Sequence, residues 1–139
     1  MVRTMSRGGR TSSGSLVAAA FGVTLALSVS SQALAQDRTP TQRQTLSDLA
    51  YVLGQSHALR QACQGVTDQF WRGRMVKLVE AEAPDPAFNT RLNSAFNAGF
   101  SAAQARYPAC GPDSRAAEAA AAARGQALAG SLAKPVADN

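Results

Sequence analysis

The chain has 139 residues and a formal net charge of +5, from 14 Lys+Arg against 9 Asp+Glu. It is 45% hydrophobic, 6% aromatic and only 17% charged, the last below the ~25% of an average soluble domain. The length admits one domain and excludes a doubly wound nucleotide-binding domain with a second domain attached. Without a glycine period, long Pro/Gly tracts or extreme charge, collagen-like and wholly disordered classes are excluded as well.

The N-terminal segment reads as an export signal. Met1 to Ser15 carries Arg3, Arg7 and Arg10 and no acid, Leu16 to Ser30 is largely apolar, and Ala33-Leu34-Ala35 precedes Gln36. A basic start, a short apolar run and a small-residue A-x-A end are the three parts of a secretory signal peptide. The apolar run is short of the ~20 residues that cross a bilayer as a helix. Residues 1–35 are therefore expected to be cleaved after Ala35, leaving no stable membrane span and placing the mature chain in the periplasm. Their removal takes three bases and no acid, so eleven bases face nine acids in what remains. Nucleic-acid binding needs a clustered basic face and is not expected.

The mature chain reads as all-α: an antiparallel bundle of three core helices and a weaker, alanine-rich C-terminal helix, punctuated by proline. Residues 36–42 are expected to be a flexible lead-in, 43–133 the helical domain and 134–139 a disordered tail. The first helix spans about Thr41 to Gln64, with Leu46, Leu49, Val52, Leu53 and Leu59 on one face and Gly65 as its stop. The second spans about Thr67, as N-cap, to Glu82, with Trp71, Met75, Leu78 and Val79 at helical spacing. Asp85 caps the third and Pro86 starts it. Its stripe of Phe88, Leu92, Phe96, Gly99 and Ala103 ends near Pro108. The fourth, from Pro112 to about Ala133, has high helix propensity. Only Leu128 and Leu132 are sizeable anchors there, so weak packing is expected.

Two cysteines remain after export, Cys63 and Cys110. In a small exported domain they are expected to form one disulfide. Short connections make neighbouring helices antiparallel, so the first and third helices point the same way. Cys63 and Cys110 then lie at the same end of the bundle.

Leu53-Gly54, His57-Ala58-Leu59-Arg60, Cys63-Gln64-Gly65, Trp71-Arg72-Gly73-Arg74-Met75, Glu80-Ala81-Glu82, Phe96-Asn97-Ala98-Gly99-Phe100, Tyr107 and Cys110 stand in one order and spacing. In them the chain resembles an uncharacterised two-cysteine family of small exported alphaproteobacterial proteins, over residues 45–125. The resemblance implies a signal peptide and an internal disulfide, and it implies no enzyme activity. Gly111-Pro112 opens the fourth helix without the expected Ser/Thr cap.

Few residues carry chemistry. His57 is the only histidine; folding the second helix back puts it level with Arg74 and Met75, where a His/Met pair is a haem-ligand type. A structural histidine at a helix interface is the plainer expectation, and one histidine cannot build a zinc site with the thiols oxidised. Arg60 projects from the apolar face of the first helix, level with Trp71. It is expected either to stack on that indole or to bind an anion beside Arg72 and Arg74. Glu80, Glu82 and Asp85 gather at a turn where Arg91 is expected as their partner, and carboxylate pairs can cleave glycosidic bonds. Glu80 and Glu82, however, point to different sides of the helix.

The expected function is thus a non-catalytic cell-envelope module, structural or interacting. Its partner would be another envelope protein or polymer, met through His57, Arg60, Trp71, Arg72 and Arg74 or the aromatic stripe of the third helix. No cofactor, metal or catalytic residue is expected. A periplasmic haem or anion binder is the first alternative and an envelope hydrolase using Glu80 and Glu82 the second.

Overall fold

The computed structural model describes residues 38–134. The expected signal peptide over 1–35, the expected cleavage after Ala35 and the residues beyond Lys134 lie outside them. Four helices follow one another: α1 (Pro40–Gln64), α2 (Phe70–Glu82), α3 (Pro86–Arg106) and α4 (Pro112–Leu132), with no strand among the described residues.

Helix starts are set by local hydrogen bonding. Thr39 caps α1 in a reciprocal box: its hydroxyl accepts from the Gln42 N–H, and the Gln42 side chain accepts from the Thr39 N–H. Pro40 stands at the first helical position, where its missing N–H costs nothing. The lead-in expected over 36–42 therefore includes, from Thr39 on, the cap and first turn of α1. Gly65 ends α1 at a φ of 98°, a conformation that glycine reaches without strain. Helix α2 begins at Phe70, two residues later than a Thr67 cap would place it. Asp68 is the residue that satisfies its first turn, accepting from the Phe70 N–H. Asp85 caps α3 as expected, accepting from the Phe88 N–H at 2.8 Å. For α4 the cap is inverted: the Ser114 hydroxyl accepts from the Gly111 N–H at 2.8 Å and donates back to the Gly111 carbonyl.

Helix α1 is the hub, and each of the other three packs chiefly on it rather than on one another. Helix α3 runs parallel to it. Arg43 near the start of α1 pairs with Asp85 and lies over the Phe88 ring at 4.0 Å, while Cys63 and Cys110 join the far ends. The disulfide is formed with the Cα atoms 4.7 Å apart. Midway, Gly54 and Gly99 face the opposite backbone. A Cβ on Gly54 would collide with the Phe96 carbonyl, and one on Gly99 with the Tyr51 carbonyl. A glycine inside a helix costs about 1 kcal/mol against alanine, and the close approach of two backbones is what it gives in return. Leu46, Ala50, Leu53, Phe88, Leu92 and Phe96 form the core of this contact. Phe88, Leu92 and Phe96 of the α3 stripe are thus buried in the core and offer no partner surface, contrary to expectation, whereas Phe100 and Tyr107, further along the same stripe, are half-buried.

Helices α2 and α4 run antiparallel to α1 on its other flanks. Arg38 ties their ends together: its guanidinium makes two bonds to Glu82, at 2.8 and 2.9 Å, and a longer one to the Leu132 carbonyl. Of α2 only Met75 is buried, and of α4 only Ser114 and Ala121. An alanine-rich helix with two leucines buries little, as expected, but its small residues let it lie close. Ala121 packs with Val52, Ala58 and Leu59, and Gly125 sits against Val52 and Leu49.

Candidate functional site

The expected site residues fall into two places rather than one. His57 is 4% exposed, with its ring against Phe96 and Phe100 at centroid distances of 5.7 and 5.4 Å. Arg72, Gln69 and Asn97 share with it a polar cleft between α2 and α3. The Gln61 amide nitrogen donates to the carbonyls of Val66 and Asp68 and lies 3.3 Å from His57 Nε2, so it knits the α1–α2 turn to the histidine. His57 Nδ1 is buried without a partner. Burial holds the imidazole pKa below its ordinary value, the Arg72 charge adds to that effect and Asp68 opposes it. A haem-ligating histidine needs an open ring nitrogen, and here one is contacted by Gln61 and the other is enclosed.

Arg60 meets Arg74 over one ring, that of Phe70, with the Arg74 guanidinium 5.3 Å from its centroid, while Arg72 lies elsewhere, over Phe96. Arg60 itself pairs with Asp68 at 3.0 Å and lies 4.9 Å from the Phe70 centroid, one residue off the expected Trp71. Burial works against the Asp68 charge, but the Phe70 N–H and the Arg60 guanidinium outweigh it and hold the carboxyl below the usual carboxylate range. Arg72 lies over Phe96 on the α3 side, whereas Arg74 lines the α4 side. Two residues apart on a helix, they cannot converge.

The acidic turn is also occupied. Arg38, not Arg91, neutralises Glu82, and Arg91 instead donates to the side chain of Gln44. Asp85 is held below the usual carboxylate range by the Phe88 N–H and by Arg43. Glu80 lines a different hollow, with Arg72 and Asn89. No group of three or more His, Cys, Asp or Glu side chains among the described residues is placed to hold a metal.

The main concavity lies between α2 and α4, a groove of about 490 Å³ floored by α1. Pockets of this size hold small ligands. Leu49, Val52, Leu53 and Ser56 make the floor, at i, i+3, i+4 and i+7 of α1. Trp71 and Leu78 wall it on α2, Gly125 and Ala129 on α4, and Arg74 and Lys77 bring positive charge. Ser56 is 1% exposed. Its hydroxyl and the Trp71 indole nitrogen are buried without a hydrogen-bond partner. Buried polar atoms are ordinarily paired, and leaving one unpaired costs about 1–3 kcal/mol.

Of the groove residues, sequence reasoning singled out Trp71 and Arg74 and missed Ser56, Lys77 and the α4 wall. The signal for Ser56 was present: a hydroxyl at i+3 from Leu53 and i+4 from Val52, on the apolar face of α1.

Residues 41–135 match the family described as "Protein of unknown function (DUF2385)". The chain belongs to that family. The DUF2385 span takes in α1 from its second residue, the other three helices, both disulfide cysteines and every residue that lines the groove. Neither the curated proteins nor the solved structures yield a match. No helix among the described residues is long and apolar enough to cross a membrane.

Proposed function

We propose that the chain is an exported, periplasmic helical module that acts by binding rather than by catalysis, and that its binding site is the groove between α2 and α4. The observation that carries this reading is the pair of buried, unpartnered polar atoms, Ser56 Oγ and Trp71 Nε1, on residues that line an apolar groove. A bound partner that offers them hydrogen bonds would remove their cost. The non-catalytic part is supported by the carboxylates: Asp68, Glu82 and Asp85 are each engaged by an arginine, which suits them to hold turns rather than move protons. Export is supported by the signal-like residues 1–35 and by the disulfide, which persists in oxidising compartments.

A ligand that binds only the folded state stabilises it by about 2.7 kcal/mol at a hundred times its Kd. A fraction of envelope extract should therefore raise the Tm of the wild-type chain and leave Gly125→Leu, in which the groove is filled, unmoved. If every fraction leaves both unmoved, or moves both equally, the groove is not the binding site. Export is tested by N-terminal sequencing of the chain from its host, which should begin at Gln36; a retained Met1 in the membrane fraction would refute cleavage.

A second reading has its own support. Val76 is 51% exposed on α2, in the hollow it shares with Arg72, Glu80 and Asn89, and that face suits an envelope protein or polymer. Substituting Val76 should then abolish capture of that partner while the groove variant retains it.

A further inference from the structure

The groove has a direction. Its floor runs from Leu49 to Ser56 along α1, seven steps or about 10 Å at the ~1.5 Å rise of a helix. Because α1 and α2 are antiparallel, Ser56 lies toward the Trp71 end and Leu49 toward the Leu78 end. Ser56, Trp71 and Arg74 therefore stand toward the end nearer the disulfide, and Leu49, Leu78 and Ala129 line the far end, where Lys77 and Gln126 flank them. No acidic side chain lines the groove, and neither Arg74 nor Lys77 forms an ion pair among the described residues.

Resting on the groove reading above, we propose that its ligand is a long-chain alkyl carboxylate, bound as the free anion. The carboxylate lies at the Ser56–Trp71–Arg74 end and the chain runs over Val52, Leu53 and Leu49 toward Leu78. The indole N–H can only donate and the serine hydroxyl can donate, so both want an acceptor. A carboxylate accepts from both and carries the charge that Arg74 and Lys77 attract, whereas an alcohol supplies one weaker acceptor and a hydrocarbon none. Apart from Gln126, the α4 wall is built of the methyl groups of Ala121, Ala122 and Ala129 and of Gly125, small groups that suit an unbranched chain. At the ~30 Å³ of a water-sized group, the groove takes about sixteen such groups, which matches one chain with its head.

Trp71 is the only tryptophan, so its fluorescence reports on the groove alone. Protein recovered after expression of the whole chain is titrated with dodecanoate, with 1-dodecanol and with phosphatidylglycerol vesicles. Dodecanoate should change the Trp71 emission saturably, at one per chain. Arg74→Gln with Lys77→Gln should weaken dodecanoate at least tenfold and leave dodecanol unchanged. Gly125→Leu should lose both. Ala129→Leu, on an exposed helix position, is the second blocking variant should Gly125→Leu not fold. The inference falls if the charge variants bind dodecanoate as well as wild type, if neither blocking variant reduces binding, or if vesicles and not free dodecanoate change the emission. If dodecanoate fails while an extract fraction still stabilises wild type and not the blocked chain, the ligand class is wrong and the groove stands. If both fail, the groove reading falls too.

Discussion

The two sides of α1 differ in how they are closed. Toward α3 the backbones meet at Gly54 and Gly99, the ends are covalently joined, and Phe88, Leu92 and Phe96 are buried. Toward α2 a single side chain, Met75, is buried, and the helix is held mainly at its ends, by Arg60–Asp68 and Arg38–Glu82. Helix α4 lies close but leaves the groove between itself and α2. One side of the hub is thus closed, and the other keeps unpaired polar atoms and, in Arg74 and Lys77, cations without an ion pair among the described residues. That asymmetry is what the proposed binding site rests on.

The largest effect should come from cutting the staple on the closed side. By loop entropy, Cys63→Ser or Cys110→Ser should each cost about 4 kcal/mol, with the double variant no worse than either, measured by urea unfolding. A double variant much worse than the singles would mean that the cysteines act separately. Next, Gly99→Ala forces a methyl into the Tyr51 carbonyl and should cost ~3 kcal/mol, the upper range for overpacking. If its denaturation midpoint matches wild type, α1 and α3 do not approach as described.

His57 stands between the two sides and gives a pH handle. Folding lowers its pKa, so the unfolded chain holds the extra proton first as the pH falls. Stability should be full above the ordinary histidine value of 6.5 and decline as the pH drops from there to the depressed folded value. His57→Gln should flatten that decline; an unchanged slope would assign it to another group. The smallest effect is on the open side. A Cβ at Gly125 meets Val52 Cγ1 at 3.5 Å, an ordinary contact, so Gly125→Ala should raise stability by about 0.5–1 kcal/mol. The same exchange then has opposite signs at Gly99 and Gly125, which is the sharpest form of the comparison.

Much of this was legible in the sequence because prolines and caps are local. Asp85-Pro86 and Gly65 mark boundaries by conformational rules that need no tertiary knowledge, and the parallel α1–α3 arrangement follows from connection length. The Thr39–Gln42 box was equally local and was passed over for a lead-in. Three things were beyond reach. Hairpin register slipped by one residue, because the α1–α2 turn is built by Asp68 and the Gln61 amide rather than by Thr67, and so Arg60 meets Phe70. The pairings Arg38–Glu82 and Arg43–Asp85 span more than forty residues, and periodicity carries no information about them. Side-chain size foretold how little α4 buries, but not that its small residues let it lie close to α1.

The hub arrangement also orders events during synthesis. Helix α1 leaves the ribosome first, yet the helix that closes its main apolar face ends forty-two residues later, at Arg106. At ~5–20 residues per second that interval is about 2–8 s. For those seconds Leu46, Ala50 and Leu53 have no partner from α3, and the sparse contacts of α2 are the first cover they receive. A chain built this way is most exposed to aggregation before it is finished, and a holdase that protects the nascent α1 would govern its yield more than any contact in the completed fold.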